Sequence, residues 1–467
     1  MDREPTSMEI EFINHSSLIM SYSGIRLMMD FWQRGTAFDN GWSQLCESKF
    51  NYDDFSSITH LWFSHEHPDH FSLPSLKAIP ENLRNRVVVL YQSTADKRVV
   101  SVCRNLGFKE VVELAPREPL RIGDGIELSC VPYGSRWGAV DSWLLVRTPA
   151  QTFLNINDCE IHDVRSAAKV REFAGPIDLL ATQFSYASKQ GNRSDPSWIG
   201  RSRRYHLDKL ALKIETLQPA YTLPFASFVY FSHRENRYLN DGIIRVCDAA
   251  EVIEARGSTP IVMYPGDRWS MGQPWDNGPP LSSYARRYEW LAARPEEAFP
   301  VAAQVPRQQL VAAAEEFIGS LTSRATARQV ASYLALRHAA RAPYRRTLFG
   351  RSKLRLVKVI ACIRGLYEIG RIFVEDEQQA YELSIARGLY PVDLSREQCQ
   401  IAIGSEALLY CFSVSWGGET LQVNGRFENI SDGWKKLSEI FVLARRLELG
   451  FRFPKSIVAA VAFARLH

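Results

Sequence analysis

The sequence predicts a layered α/β domain followed by a smaller α+β domain, and three observations carry that prediction. Short apolar, β-branched stretches alternate with helix-like segments through the first part of the chain, the pattern of strands buried between helical layers. After about residue 280 the spacing of apolar residues changes to the helical period. The length of 467 residues leaves room for two or three domains of about 150 residues each. Domains are therefore expected over 1–280 and 281–467. Hydrophobic residues make up 46% and charged residues 23%, which excludes a largely disordered chain.

The elements follow in order. Residues 9–32 read as strands in hairpin order, split by small turns such as the one at Gly24. Residues 58–63 (ITHLWF) form a strand apolar enough to lie between two layers, and LPSLKAI is helix-like. RVVVLY is the next strand, and further strands fall at 126–131, 143–148 and 152–156. NGPPLSS is a turn-rich break, and 284–298 reads as helix. Helical spacing dominates 308–370, strands are expected again in LLYCFSVSWGG and TLQVNGRF, and an amphipathic helix spans about 432–449.

Net charge is +4, from 56 basic and 52 acidic residues, too small an excess to make nucleic acid the main partner. The eight cysteines are scattered, with no CxxC pair, which argues against a zinc ribbon or a disulfide framework. The start lacks the apolar core of a signal peptide, and no apolar run approaches the ~20 residues of a membrane span. A reduced, cytoplasmic protein is the expectation.

One motif stands out. The strand ITHLWF runs into Ser64-His65-Glu66-His67-Pro68-Asp69-His70, an HxHxDH pattern. Imidazoles two residues apart in extended chain can grip one metal, and Asp69 and His70, beyond the proline, can face a second. Against this stands a polar turn that happens to be rich in histidine.

HxHxDH resembles the motif of the metallo-β-lactamase superfamily, and the resemblance covers roughly residues 8–270. It implies a four-layer αβ/βα sandwich with metals at the strand ends. His15 after an early strand, Asp30-Phe31-Trp32 and Asn157-Asp158-Cys159 add to it. The resemblance makes Asp158 the aspartate that bridges two cations; the alternative is an Asx cap on the next helix. Two departures stand out. Between the first motif and Asp158 no further histidine occurs, and Tyr133 and Asp141 are the nearest polar candidates. The strand-end Pro-x-His is replaced by Leu223-Pro224-Phe225-Ala226. His233 or His162 can substitute, or both are ordinary surface histidines. The ligand set is thus His65, His67, Asp69, His70, Asp158 and His233, with Asp69, Asp158 and Tyr133 as catalytic candidates. Two divalent metal ions are implied, and fewer nitrogen donors suit iron or manganese better than zinc.

QFSYA (183–187), PFASF (224–228), YPGD (264–267), NDC (157–159) and VNGRF (423–427) look like segments of the CMP-N-acetylneuraminate hydroxylase family. That family carries a Rieske domain needing Cys-x-His ligand pairs. No Cys-x-His occurs here, so electrons are expected from a separate protein.

Basic residues cluster twice. Eight Lys or Arg and no acid lie in 337–358, either a solvated helix face or an anionic-membrane contact. Lys189, Arg193, Arg201, Arg203 and Arg204 follow QFSYA in a stretch expected to overhang the metals. Arg193, Arg203, Arg204 and Tyr186 are the candidates for holding a small anionic substrate. Trp198, Trp269 and Trp275 are pocket candidates, with core packing as the plainer reading. The favoured function is an iron-dependent oxygenase or hydroxylase. The alternatives are a dinuclear zinc hydrolase of a phosphoester or amide, and a binding protein with an inactive site. The second domain closes over the site or forms a dimer interface on this reading, and the oligomeric state is left open.

Overall fold

The structure, a computed structural model, describes residues 7–134, 141–341, 368–430 and 433–453. The chain forms two compact units. The first comprises Met1–Gln190, Asp195–Ser232 and Arg237–Phe299; the second comprises Gly191–Ser194, His233–Asn236 and Pro300–His467.

In chain order, the strands of the first unit begin with β1 (Glu9–Asn14), β2 (Ser17–Tyr22), β3 (Ile25–Met29) and β4 (Trp42–Gln44). They continue with β5 (His60–Phe63), β6 (Val88–Gln92), β7 (Glu110–Leu114) and β8 (Pro119–Gly123). Next come β9 (Ile126–Tyr133), β10 (Asp141–Arg147), β11 (Thr152–Asn157) and β12 (Leu179–Gln183). The set closes with β13 (Tyr221–Phe225), β14 (Val229–Phe231), β15 (Thr259–Pro260) and β16 (Arg268–Ser270). Among the described residues they build two seven-stranded sheets, ordered β16-β1-β2-β3-β5-β6-β7 and β15-β13-β12-β11-β10-β9-β8, with β14 and β4 as a separate pair.

Each sheet is antiparallel on one side and parallel on the other. β1–β3 and β8–β11 pair antiparallel in chain order, whereas β3, β5, β6 and β7, and β11, β12, β13 and β15, pair in parallel. Parallel neighbours need crossovers, and helices such as Leu73–Ala78, Arg98–Asn105, Val164–Ala174 and Trp198–Leu217 supply them. Burial alternates as a doubly covered sheet requires. Met28, Leu61, Phe63, Val89 and Tyr91 pack on the helical cluster with Leu76, Val99 and Cys103, while Leu27, Met29, Trp62 and Leu90 are buried on the opposite face. That face meets the second sheet: Asn155 Nδ2 reaches Met29 Sδ at 3.4 Å. The result is the expected αβ/βα sandwich of four layers.

The second unit holds a five-stranded sheet, with β17 (Glu368–Val374), β18 (Gln379–Ser384), β19 (Gly388–Val392), β20 (Ile401–Ile403) and β21 (Phe427–Asn429) ordered β19-β18-β17-β20-β21. Helices Arg307–Arg324, Ser405–Ser413, Gly417–Asn424 and Trp434–Glu448 accompany it.

Several expectations shift. Helix Gly278–Ala293 packs in the first unit, and the units part at Phe299 and Pro300. LLYCFS (408–413) and TLQVN (420–424) are helical rather than extended. Ala407, Leu408, Cys411 and Phe412 are buried at helical spacing, and that periodicity outweighs the β-branched and aromatic content. The helical reading of 308–370 holds to Arg341 and ends in strand at Glu368. The basic cluster of 337–358 lies outside the described residues beyond Arg341. No helix of the described residues is long and apolar enough to cross a membrane, and the seven described cysteines are free thiols.

Candidate metal centre

The site sits where β3, β5 and β11 end. β5 delivers Ser64, whose carbonyl is gripped from both sides, by Gln92 Nε2 at 3.0 Å and by Ser142 Oγ of the opposite sheet at 2.6 Å. β3 ends at Asp30, a non-glycine residue held at φ 51°, an arrangement that persists only where neighbours over-determine it. Here they do. The fully buried Asp30 carboxylate accepts from Ser64 N–H at 2.7 Å, Ser64 Oγ at 2.8 Å and Asn157 Nδ2 at 2.6 Å, and faces His70 Nδ1 at 2.9 Å. A carboxylate is an acceptor only, so His70 carries its proton on Nδ1 and turns the Nε2 lone pair the other way. Beyond Pro68 the chain turns tightly, with the N–H groups of His70 and Phe71 both donating to the His67 carbonyl.

Two groups of convergent ligand atoms result, and His70 belongs to both: His15, Asp69 and His70, and His65, His70 and Asp158. His15 Nε2 lies 3.2 Å from Asp69 Oδ2, and His70 Nε2 lies 3.4 Å from Asp69 Oδ2 and 3.5 Å from Asp158 Oδ2. His65 Nε2 is 3.7 Å from Asp158, 3.9 Å from Asp141 and 2.8 Å from His67 Nδ1. Glu66 turns away to Arg98, at 2.7 Å.

Electrostatics prepares these groups for cations. Burial pushes the imidazoles of His15 and His65 down towards the neutral, ligating form. Burial alone would raise Asp69 and Asp158, but the surrounding histidines hold both carboxyls below the ordinary range. Burial likewise opposes the charged form of His70, yet Asp69, Asp158 and Asp30 hold its proton well above the usual histidine range. A cation bound at Nε2 would take over the role of that proton. Burial, and then Asp158, raise Asp141. Asp69 Oδ1, Asp158 Oδ1 and His15 Nδ1 are buried with no hydrogen-bond partner. Buried carboxylate oxygens without donors are costly unless a cation meets them, so the donor set fits a pair of metal ions.

Other expected residues are placed elsewhere. Tyr133 ends β9 and its hydroxyl donates to the Glu160 carbonyl at 2.8 Å. Tyr186 is buried, its hydroxyl donating to the Leu239 carbonyl. His233 lies in the second unit, 3.3 Å from Glu235, and neither convergent group includes it. Residues 198–217 form a helix rather than a loop, and on it Arg203 is tied to Asp248 at 2.6 Å and to the Ile243 carbonyl, while Arg204 is exposed. Arg193 belongs to the second unit, where its N–H donates to Glu428. His162 contacts Tyr205. Trp198 and Trp269 are buried, and Trp275 donates to the Val262 carbonyl. His15 and Asp30 entered the sequence reading only as marks of resemblance. Their part in the cluster spans separations of 54 and 34–40 residues, which no local pattern announces. Asp141 was weighed beside Tyr133, and it is the one brought within reach of His65.

A sandwich of this topology with HxHxDH at its strand ends defines the metallo-β-lactamase fold. No family model matches the chain. Curated relatives do: it is 23% identical over 249 residues to the cytidine monophosphate-N-acetylneuraminic acid hydroxylase of Cricetulus griseus, covering 51% of this chain and 43% of that protein. It is also 23% identical over 261 residues to the inactive homologue of Homo sapiens, covering 50% and 48%. The chain is related to these hydroxylases and spans less than half the length of each. Among solved structures, CmlA, a diiron β-hydroxylase from Streptomyces venezuelae, overlaps with a TM-score of 0.40 at 18% identity over 58% of this chain and 55% of that one. The metallo hydrolase Igni18 from Ignicoccus hospitalis overlaps at 0.40 and 13% identity over 58% and 100%.

Proposed function

We propose that the protein is a dinuclear-metal oxygenase that hydroxylates a small anionic molecule and takes its electrons from a separate protein. The observation that carries the metal part is the pair of convergent groups sharing His70, each with a buried carboxylate oxygen left open. The relationship to hydroxylases supports oxidation over hydrolysis. In this reading His15, His65, His67, Asp69, His70, Asp141 and Asp158 would hold the two ions, His70 through Nε2 alone, because its Nδ1 faces Asp30. Iron bound there would supply the activation of dioxygen. The protein's own residues orient the ligands: Asp30 fixes the His70 tautomer, and Ser64, stapled between the sheets, fixes the loop that bears His65. Three carboxylates among the candidate ligands offset much of the charge of two divalent ions, which favours harder metals that take oxygen donors.

Anaerobic purification followed by elemental analysis and optical spectroscopy tests the proposal. About two iron atoms per chain, with an absorption band that changes on exposure to oxygen, are expected. Two zinc ions and a featureless spectrum would replace this reading by a hydrolytic one.

A further inference from the structure

The turn that leads into β4 is left-handed. Phe38, Asp39 and Asn40 follow one another at φ 52°, 53° and 57°, with no glycine among them. Aspartate and asparagine enter this region more readily than other L-residues, because their short polar side chains bond locally. Thr36 Oγ1 donates to Asn40 Oδ1 at 2.7 Å in this way. A phenylalanine has no such help, so the strain falls on Phe38. The surrounding backbone imposes it. Ala37 and Trp42 exchange hydrogen bonds at 3.0 and 3.1 Å, and Gly41 N–H donates to the Phe38 carbonyl at 3.0 Å. Ser232 donates through its N–H to the Gly41 carbonyl at 2.9 Å and through Oγ to the Asn40 carbonyl at 3.0 Å.

The turn buries the Phe38 ring between exposed Thr36 and Asn40, edge-on to Trp42 at 4.7 Å and to His67 at 5.6 Å. Of the HxHxDH ligand candidates, His65, Asp69 and His70 are buried, whereas His67 is half-buried. The His67 carbonyl is fixed by the N–H groups of His70 and Phe71, so its remaining freedom lies in the side chain. Its ring is met by His65, at 4.4 Å between centres, and by Phe38. A ligand that must be ordered as the cation arrives binds it more weakly than one already in place. Packing on Trp42 alone would make Phe38 a matter of stability. Contact with His67 makes it a matter of metal affinity, and experiment separates the two.

We propose that Phe38 is a positioning residue of the metal centre. The left-handed turn sets its ring against His67 and holds that imidazole with Nδ1 beside His65 Nε2, 2.8 Å away, before a cation arrives. This role rests on the reading of the HxHxDH cluster as a metal centre, and it holds whichever reaction the metals serve.

Cobalt(II) titration of the metal-stripped full chain, in competition with a chromophoric chelator, tests the role. The parent is expected to take up a pair of ions. Phe38→Leu, which keeps apolar bulk and loses the ring, is expected to weaken the binding of one of them by about tenfold, and Phe38→Tyr to bind as the parent does. In a His67→Ala background, Phe38→Leu is expected to change the affinity by less than about twofold, because the imidazole it positions is gone. Urea denaturation of the same proteins reads any loss of stability separately. Parent-like binding by Phe38→Leu, or an equal loss with His67 absent, would overturn the proposal. The contact is also read without any variant: a nuclear Overhauser effect between the Phe38 and His67 rings is expected in the metal-free parent, and its absence would likewise overturn the proposal. A parent that binds no metal would overturn the metal centre itself, and the positioning role with it.

Discussion

Asp30 has no chemistry of its own to perform, yet it organises the cluster. Its two oxygens meet Ser64, Asn157 and His70, and burial removes any water that could stand in for it. Asp30→Asn keeps the volume but turns one acceptor into a donor, facing groups that are themselves donors. His70 then loses the partner that fixes its tautomer. Metal affinity should fall by about 10–100-fold, read by competition with a chromophoric chelator. An unchanged affinity would mean that His70 is oriented by something else. Asp69→Ala acts directly, removing a ligand shared in geometry by His15 and His70, and should cost about one metal ion per chain by elemental analysis. HxHxDH was legible because its residues are contiguous. Asp30 was visible only as part of a familiar triplet, since its significance comes from strands that meet in space.

Helix Trp198–Leu217 buries a lysine. Lys213 Nζ donates to Thr182 Oγ1 at 2.7 Å and to the Gln183 carbonyl at 3.1 Å, at the end of β12. Burial pulls its pKa down to about 8. The sign follows from proton counting. Between about pH 8 and the ordinary lysine value near 10.5 the unfolded chain binds the extra proton, so stability conferred through this group rises with pH across that window. Below it, the charged, buried ammonium is a cost. Comparing the parent with Lys213→Met by urea denaturation, the difference in unfolding free energy should shift in the parent's favour by on the order of 3 kcal/mol from pH 8 to 10.5. A flat difference would show that the ammonium is as well solvated folded as unfolded. The same helix carries Arg201, Arg203 and Arg204 of the basic stretch after QFSYA on its turns, and Asp248 pairs with Arg203.

At the scale of the molecule, the second unit gathers two short segments, Gly191–Ser194 and His233–Asn236, from within the chain of the first. Arg426, with no exposed side-chain surface, holds the second by charge: it meets Glu235 at 2.6 Å and Glu406 at 3.0 Å, and Asn236 Nδ2 donates to the Asn424 carbonyl at 2.7 Å, while Asn192 Nδ2 of the first donates to the Asn429 carbonyl at 2.6 Å. Burial alone would raise Glu235, but His233 and Arg426 hold its carboxyl below the ordinary range. That contribution is present above about pH 4.5 and is lost as the pH falls through the folded value. Arg426→Met should destabilise by about 3 kcal/mol, because it leaves two carboxylates facing each other without their cation. Equilibrium denaturation reads this, and adding Glu235→Gln should restore part of the loss. Arg426 was legible only as part of VNGRF, whose meaning the sequence did not supply.

The sequence by itself determined the strand-rich sandwich and the histidine-rich loop, because each is written in local periodicity or in contiguous residues. It also carried the relationship to hydroxylases, through short segments rather than through any one motif. Tertiary structure alone decided that His15 and Asp141 approach the cluster, that the Tyr133 hydroxyl turns to the Glu160 carbonyl, and that Arg201, Arg203 and Arg204 are helical. The physical reason is the same in each case. Ligand convergence depends on which strand ends meet, and pairing across tens to hundreds of residues leaves no period in the chain. The helices at 405–424 were misread for a related reason: aromatic and β-branched residues favour strands only where a neighbouring strand is there to pair with them.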